Sequence, residues 1–226
     1  LFLARREKGG KIMVIPNNNP GCRPIRMLNL AGFLGKSEVN GPGTRAVVWV
    51  RGCPIHCPGC FNEQFQPFSP ATLIPVDELA GTILSLHGID GVTFSGGEPF
   101  AQAGPLAALG ERLREDGLSI VTYTGYTPSQ LAAGDDPAIP ALLAVTDLLI
   151  AGPYVAGLGE ADPLKGSSNQ QEISLGMKIA IPKRGAFLHP ACSRIEFSIA
   201  SDGTVTTTGF PAPALVEQLE SRCRGA

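Results

Sequence analysis

Three cysteines stand within eight residues in the stretch RGCPIHCPGCFN, Arg51 to Asn62: Cys53, Cys57 and Cys60. Thiols at this density can pack, pair as a disulfide, hold a zinc ion or ligate an iron–sulfur cluster. Spacings of four and three would align them on one helical face, but Pro54, Pro58 and Gly59 interrupt a regular helix. A disulfide would leave one thiol over, and a reducing compartment disfavours it. A closed zinc site takes four ligands, and His56 would have to fold back beside its neighbour Cys57 to serve as the fourth. Clustered thiolates on a loop are the usual ligands of an iron–sulfur cluster, four of them for an electron-transfer [4Fe–4S] centre. Three would leave one iron with an open coordination position, where a substrate or cofactor can bind.

The elements that must position this loop read as alternating strands and helices. Arg45 to Val50, RAVVWV, is a continuous apolar strand running straight into the cysteines. Val76 to Leu86 has helical spacing, Gly91 to Phe94 is the next strand, and SGGEPF after it is a turn. Ala103 to Asp116 is an amphipathic helix, Ser119 to Tyr123 a third strand, Pro128 to Ala133 and Ile139 to Val145 short helices, and Thr146 to Ile150 a fourth strand. Such alternation implies an α/β fold with a mostly parallel sheet, open or curled into part of a barrel. Ligands of these sheets bind beyond the carboxyl ends of the strands. CPIHCPGC, SGGEP and the TGY of Thr124 to Tyr126 each follow a predicted strand, so Thr124 and Tyr126 are candidates to line the same site.

The rest of the chain divides around that core. Residues 1–26, rich in Pro and Asn, read as a loose arm, 27–171 as the core, and 172–226 as an extension in which RIEFSIASDGTVTTT, Arg194 to Thr208, alternates around Asp202-Gly203 as a β-hairpin. The 226 residues suffice for one domain with a real core. A net charge of −2, with no basic tract, argues against nucleic acid as a direct ligand. No N-terminal apolar run is long enough for a signal-peptide core or a membrane span, so the expectation is a cytoplasmic chain without membrane partners. It opens on Leu1, and Met13 and Met27 are candidate starts. Cys22, Cys192 and Cys223 are too scattered to form a second ligand set and read as small buried apolar residues, while His87 and His189 lack triad-like company.

The Cys-x3-Cys-x2-Cys loop and the SGGEP of Ser95 to Pro99 together resemble the two signature motifs of the radical S-adenosylmethionine superfamily. The resemblance implies a partial (β/α) barrel and one [4Fe–4S] cluster with an open iron, ligated by Cys53, Cys57 and Cys60. The cofactor S-adenosylmethionine would chelate that iron and be cleaved reductively to methionine and a 5′-deoxyadenosyl radical. Gly96 and Gly97, lacking Cβ atoms, would let the backbone approach its methionyl end, with Glu98 fixing the turn.

NGPGTR (Asn40 to Arg45), CPGCFN, SGGEP, TGY, AGPYV (Ala151 to Val155) and GSSNQ (Gly166 to Gln170) narrow the resemblance to the activating proteins of anaerobic ribonucleotide reductase, over roughly residues 28 to 171. That likeness implies an enzyme that takes a hydrogen atom from a glycine Cα of a large glycyl-radical subunit and is fed electrons by a flavodoxin or ferredoxin-type reductant. Its implied cofactor contacts are Gly59, Cys60, Phe61, Asn62, Ser95, Gly96, Gly97, Glu98 and Thr124. Two departures stand out. Many radical enzymes carry an aromatic residue before the third cysteine, where this chain has Gly59, with Phe61 following instead; and the acidic position before GPYV is Ala151. Other readings of the motifs are a radical enzyme acting on another peptide or a small metabolite, and a non-enzymatic iron–sulfur or zinc protein.

Overall fold

A computed structural model describes residues 4–6, 12–14, 25–159, 162, 164–176, 195–199, 205–209 and 221. Its strands are β1 (Ala4–Arg6), β2 (Ile12–Val14), β3 (Met27–Ser37), β4 (Arg45–Val50), β5 (Thr72–Pro75), β6 (Gly91–Gly96), β7 (Ser119–Thr124), β8 (Leu148–Ala151), β9 (Gln171–Ser174), β10 (Ile195–Ile199) and β11 (Val205–Gly209). The helices are α1 (Val76–Leu84), α2 (Ala103–Glu115), α3 (Pro128–Ala132) and α4 (Ala138–Val145).

Seven strands form one sheet in the order β5-β3-β4-β6-β7-β8-β9. The four central strands β4, β6, β7 and β8 run parallel, β3 and β9 flank them antiparallel, and β5 pairs antiparallel with β3 at the edge. The fold is therefore mixed α/β around a parallel centre, as the alternation of patterns implies. β1 pairs with β2, and β10 with β11, as separate antiparallel pairs. Cys22, His189, Cys192 and Cys223 lie outside the described residues.

Alternation along the strands sends side chains to two faces. Ala46, Val48 and Val50 of β4, with Val92, Phe94 and Ile120, belong to the main core, which also holds Leu79 and Ile83 of α1, Leu106, Leu109 and Leu113 of α2 and Leu142 and Val145 of α4. Val121, Leu148 and Ile150 point the other way and form a small second cluster with Leu164. Helices thus cover one face heavily, and Trp49 and Ser95, out of phase with Val48 and Phe94, belong to the other. Helix entry follows local chemistry: Thr127 and Gln130 make a reciprocal capping box ahead of Pro128, and Asp77 and Glu78 sit in the first turn of α1, where the helix dipole favours acids.

The NGPGTR segment serves the amino end of the sheet, away from the cysteines. Arg45 is 1 % exposed. Its Nε donates to Thr93 Oγ1 at 2.9 Å, Nη1 to the Pro42 carbonyl at 3.1 Å and Ser119 Oγ at 3.0 Å, and Nη2 to the carbonyls of Val92 at 2.8 Å and Ser119 at 2.7 Å. Burial is what lowers this guanidinium, to about 10, and the charges of Tyr123, Asp147 and Asp90 oppose the shift. The planar fork meets five acceptors from three segments, which an ammonium could not do.

Candidate active site

β4, β6, β7 and β8 end along one edge, and the residues that follow them converge there. A cavity of about 120 Å3 is lined by Cys53, Cys57, Cys60, Phe61 and Asn62 after β4, by Ser95, Gly96, Gly97 and Glu98 at the end of β6, by Thr124 and Gly125 after β7 and by Gly152 and Tyr154 after β8. Of the implied cofactor contacts, Gly59 is the exception. It sits in an exposed turn at φ +71°, closed by the Cys60 N–H donating to the Cys57 carbonyl at 3.2 Å. Tyr126 packs against the main core instead of lining the cavity.

The cysteine loop is fastened at its root. Arg51 N–H donates to the Asn29 carbonyl, Gly52 N–H to Phe65 and Cys53 N–H to Gln66, all at 2.8–2.9 Å. Gln102 accepts from Asn29 N–H at 2.8 Å while its amide nitrogen donates to the carbonyls of Asn29 and Arg51, so one side chain ties three segments together. The SGGEP turn is bonded to the same root: Gly97 N–H reaches the Val50 carbonyl at 2.7 Å and Glu98 N–H the Gly52 carbonyl at 2.8 Å. This close approach explains the glycine pair. A Cβ on Gly96, whose φ is +104°, would lie 2.6 Å from Val50 N, and one on Gly97 would press on the Gly52 carbonyl, 2.9 Å from its carbon. The missing side chains make room for the neighbouring loop.

Glu98 lies at the meeting point of two turns. It is 1 % exposed; Oε1 accepts from Phe100 N–H and Thr124 Oγ1, and Oε2 from Gly125 N–H, each at 2.9 Å. Burial pushes its carboxyl up to about 7, against the pull of those three donors. The Thr124 hydroxyl also accepts from Tyr126 N–H at 3.1 Å. Both side chains therefore lock the ends of β6 and β7 together beside the cavity.

The three thiols share the cavity without meeting at one point. Among the described residues, no three His, Cys, Asp or Glu side chains are grouped to hold a single metal ion. His56 is exposed, at φ +51°, and its Nδ1 lies 3.0 Å from Gln66 Oε1, outside the cavity lining, which removes the fourth ligand a zinc site would need. Burial pushes the Cys53 and Cys57 thiols up, while the backbone groups of Ile55 and His56 at Cys53, and of Tyr154 at Cys57, pull them down. Three separated sulfurs on one loop, met by backbone donors, fit the corners of a multi-iron cluster, whose ligands need not converge and whose sulfurs are tuned by hydrogen bonds.

The residues not foreseen as lining are Ile55, Tyr123, Gly125, Gly152, Tyr154, Gly166 and Gln170. Tyr154 stacks on Phe61 with ring centroids 4.7 Å apart, tilted by 46°. Gln170 accepts from Gly166 N–H at 2.9 Å and donates to the Gly152 carbonyl at 3.1 Å, folding GSSNQ back onto the end of β8. Gly152, Tyr154, Gly166 and Gln170 fall in AGPYV and GSSNQ, and the fold is what brings those two segments to the cavity.

Residues 39–173 match the family described as "4Fe-4S single cluster domain". The chain is 32% identical over 144 residues to the "Anaerobic ribonucleoside-triphosphate reductase-activating protein" of Escherichia coli (strain K12), an alignment covering 58% of this chain and 89% of the relative. The Haemophilus influenzae protein of the same name is 29% identical over 157 residues, 63% of this chain and 96% of its own. A "Pyruvate formate-lyase-activating enzyme" of Staphylococcus aureus (strain USA300) is 36% identical over 86 residues, 35% of this chain and 34% of that enzyme.

Proposed function

This chain belongs to the 4Fe-4S single cluster domain family and to the family of anaerobic ribonucleoside-triphosphate reductase-activating proteins, and from that premise we propose that it is a radical S-adenosylmethionine activase that installs a glycyl radical on an anaerobic ribonucleotide reductase. The observation that carries the reading is the convergence of CPIHCPGC and SGGEP on one cavity at the carboxyl ends of parallel strands.

In this reading Cys53, Cys57 and Cys60 would hold three irons of one [4Fe–4S] cluster, leaving the fourth open to S-adenosylmethionine. Given one electron from an external reductant, the two together would supply reductive cleavage of the cofactor's sulfonium and, through it, removal of a glycine Cα hydrogen from the partner. The protein's own part is positional. Ser95, Gly96 and Gly97 present backbone at the cavity wall, Glu98 and Thr124 hold that wall to the next strand, and Phe61 with Tyr154 forms an apolar side that limits water. Asn62 completes the cofactor contacts at the cavity, its Nδ2 lying 3.5 Å from the Gly96 carbonyl, while Gly59, outside the lining, shapes the turn that carries Cys60.

The remaining parts belong to the same proposal. The sheet is a partial (β/α) barrel, β10 and β11 form a C-terminal hairpin extension, the electron donor is a flavodoxin or ferredoxin-type protein, and the setting is cytoplasmic. Among the described residues no helix is long and apolar enough to cross a membrane. The likeness to a pyruvate formate-lyase-activating enzyme favours, as a second reading, a different glycyl-radical protein as partner.

The test is anaerobic reconstitution with iron and sulfide, then dithionite and S-adenosylmethionine, with and without the reductase's large subunit. The proposal expects 5′-deoxyadenosine in both cases and a glycyl-radical EPR doublet with the subunit. No 5′-deoxyadenosine would defeat the enzyme reading; cleavage without a doublet on the reductase, but with one on pyruvate formate-lyase, would select the second partner.

A further inference from the structure

GSSNQ grips the main chain of AGPYV at several points in a row. Gln170 Nε2 donates to the Gly152 carbonyl at 3.1 Å, Asn169 Nδ2 donates to the Pro153 carbonyl at 2.7 Å, and Ser167 Oγ accepts from Val155 N–H at 3.2 Å. The Ser168 N–H adds a bond to the Leu158 carbonyl at 2.9 Å.

The segment so held lies against the cysteine loop. The Tyr154 ring meets Phe61, and a Cβ on Gly59 would stand 3.5 Å from the Ala156 methyl. Tyr154 and Cys57 line the same cavity. Burial raises the Cys57 thiol, and first among the groups that pull it back down is the Tyr154 main chain, whose donor is its N–H.

These contacts meet in one peptide unit. The Pro153 carbonyl and the Tyr154 N–H belong to the same bond, and in a planar trans peptide they point in opposite directions. Asn169 therefore holds the unit by its oxygen and turns its hydrogen toward Cys57. A donor on the carbonyl also polarises the amide, which strengthens the bond that the N–H gives. Asn169 is exposed and stands outside the cavity lining, so its influence on the sulfur passes through the peptide. Hydrogen bonds to the sulfurs help set the potential of an iron–sulfur cluster. Reduction adds negative charge to the thiolates, so an N–H donor stabilises the reduced form more than the oxidised one.

We propose that Asn169 is a positioning residue that, through the Pro153–Tyr154 peptide, aims an N–H at Cys57 and raises the reduction potential of the cluster. The inference rests on Cys57 being a cluster ligand, as the activase reading has it. It gives GSSNQ an electronic task beside the structural one of closing the end of β8.

The test uses the full reconstituted chain without S-adenosylmethionine, titrated with dithionite and followed by the EPR signal of the reduced cluster. Asn169→Ala is expected to move the one-electron reduction equilibrium about threefold or more toward the oxidised form, a potential about 28 mV more negative. Its iron content should match wild type, and the neighbouring exposed variant Ser168→Ala should keep the wild-type potential. The second readout is local to the bond. Growth on 15N-tyrosine labels the main-chain nitrogens of the three tyrosines, and pulsed EPR should detect a 15N coupling to the reduced cluster. Tyr154→Phe should remove that coupling, because it removes the label, and Asn169→Ala should weaken it by about half or more. A potential for Asn169→Ala equal to or above wild type, the same shift in Ser168→Ala, or a 15N coupling that is absent from wild type or untouched by Asn169→Ala would overturn the inference and leave the activase reading standing. A wild type that assembles no [4Fe–4S] cluster would overturn both. The expected shift without any formation of 5′-deoxyadenosine by wild type would defeat the activase reading alone.

Discussion

Replacing Glu98 with Gln keeps the volume of a buried side chain and removes its charge, so two opposed effects can be weighed. The carboxylate accepts three hydrogen bonds, two at Oε1 and one at Oε2. A glutamine has one acceptor oxygen; with its oxygen toward Phe100 and Thr124, its NH2 faces the Gly125 N–H and leaves that donor unpaired, a loss of about 1–3 kcal/mol. Against this, burial has raised the carboxyl from 4.5 to about 7, so ionising it in place costs on the order of 3 kcal/mol more than in water. The sign follows from proton binding. Between about pH 4.5 and 7 the folded state holds the proton that the unfolded state has released, so wild-type stability falls as pH rises through that window and is level above it. Glutamine has no such slope. From about pH 5.5 to about pH 8 the stability of the wild type relative to Glu98→Gln should fall by about 2 kcal/mol. Urea unfolding of the metal-free, reduced chain, followed by the fluorescence of the single tryptophan, Trp49, measures this. Parallel pH profiles for the two proteins would refute the view that burial raises the Glu98 carboxyl above its unfolded value.

Three further outcomes are expected. Cys53→Ser, Cys57→Ser and Cys60→Ser should each reduce 5′-deoxyadenosine formation by roughly a hundredfold or more and abolish the site-specific cluster EPR signal, on the premise that each thiolate holds one iron; wild-type turnover in any one would remove that residue from the ligand set. Gly97→Ala should destabilise the protein by about 1–3 kcal/mol through the clash with the Gly52 carbonyl, seen as a lower urea midpoint together with weakened cofactor cleavage. Arg45→Lys should cost about 2–4 kcal/mol, since an ammonium serves at most three of five acceptors, and the iron content of the reconstituted variant should match wild type because Arg45 sits at the opposite end of its strand.

Elements whose signal is local were readable. RAVVWV is β4 to the residue, because a continuous apolar run ending at a Pro/Gly-rich loop leaves little choice of boundary. The second parallel strand runs two residues further than its apolar run, to Gly96, because Ser95 and Gly96 still register with Trp49 and Val50. The helix of the chain's first crossover, α1, stops at Leu84, where Ser85 turns its hydroxyl to the Thr82 carbonyl, two residues short of the apolar pattern's end. Thr72–Pro75 and Gln171–Ser174 gave no warning, being four-residue flanking strands whose partners lie far away in sequence. In the site, the cysteines and SGGEP declared themselves through residue type and spacing. Tyr154 and Gln170 did not, because an aromatic ring and an amide acquire a place only when the end of β8 is brought beside the cysteine loop. The meaning of Gly96 and Gly97 changed most: the side chains they lack would strike Val50 and Gly52.

The two bonds from Gly97 and Glu98 to Val50 and Gly52 make the cysteine loop and the SGGEP turn halves of a single clasp. An engineer transplanting this chemistry into another scaffold would have to move the clasp whole. A grafted cysteine loop alone would arrive with two carbonyl acceptors exposed at its root and no second loop to answer them, and it would drift out of register with whatever lay beside it.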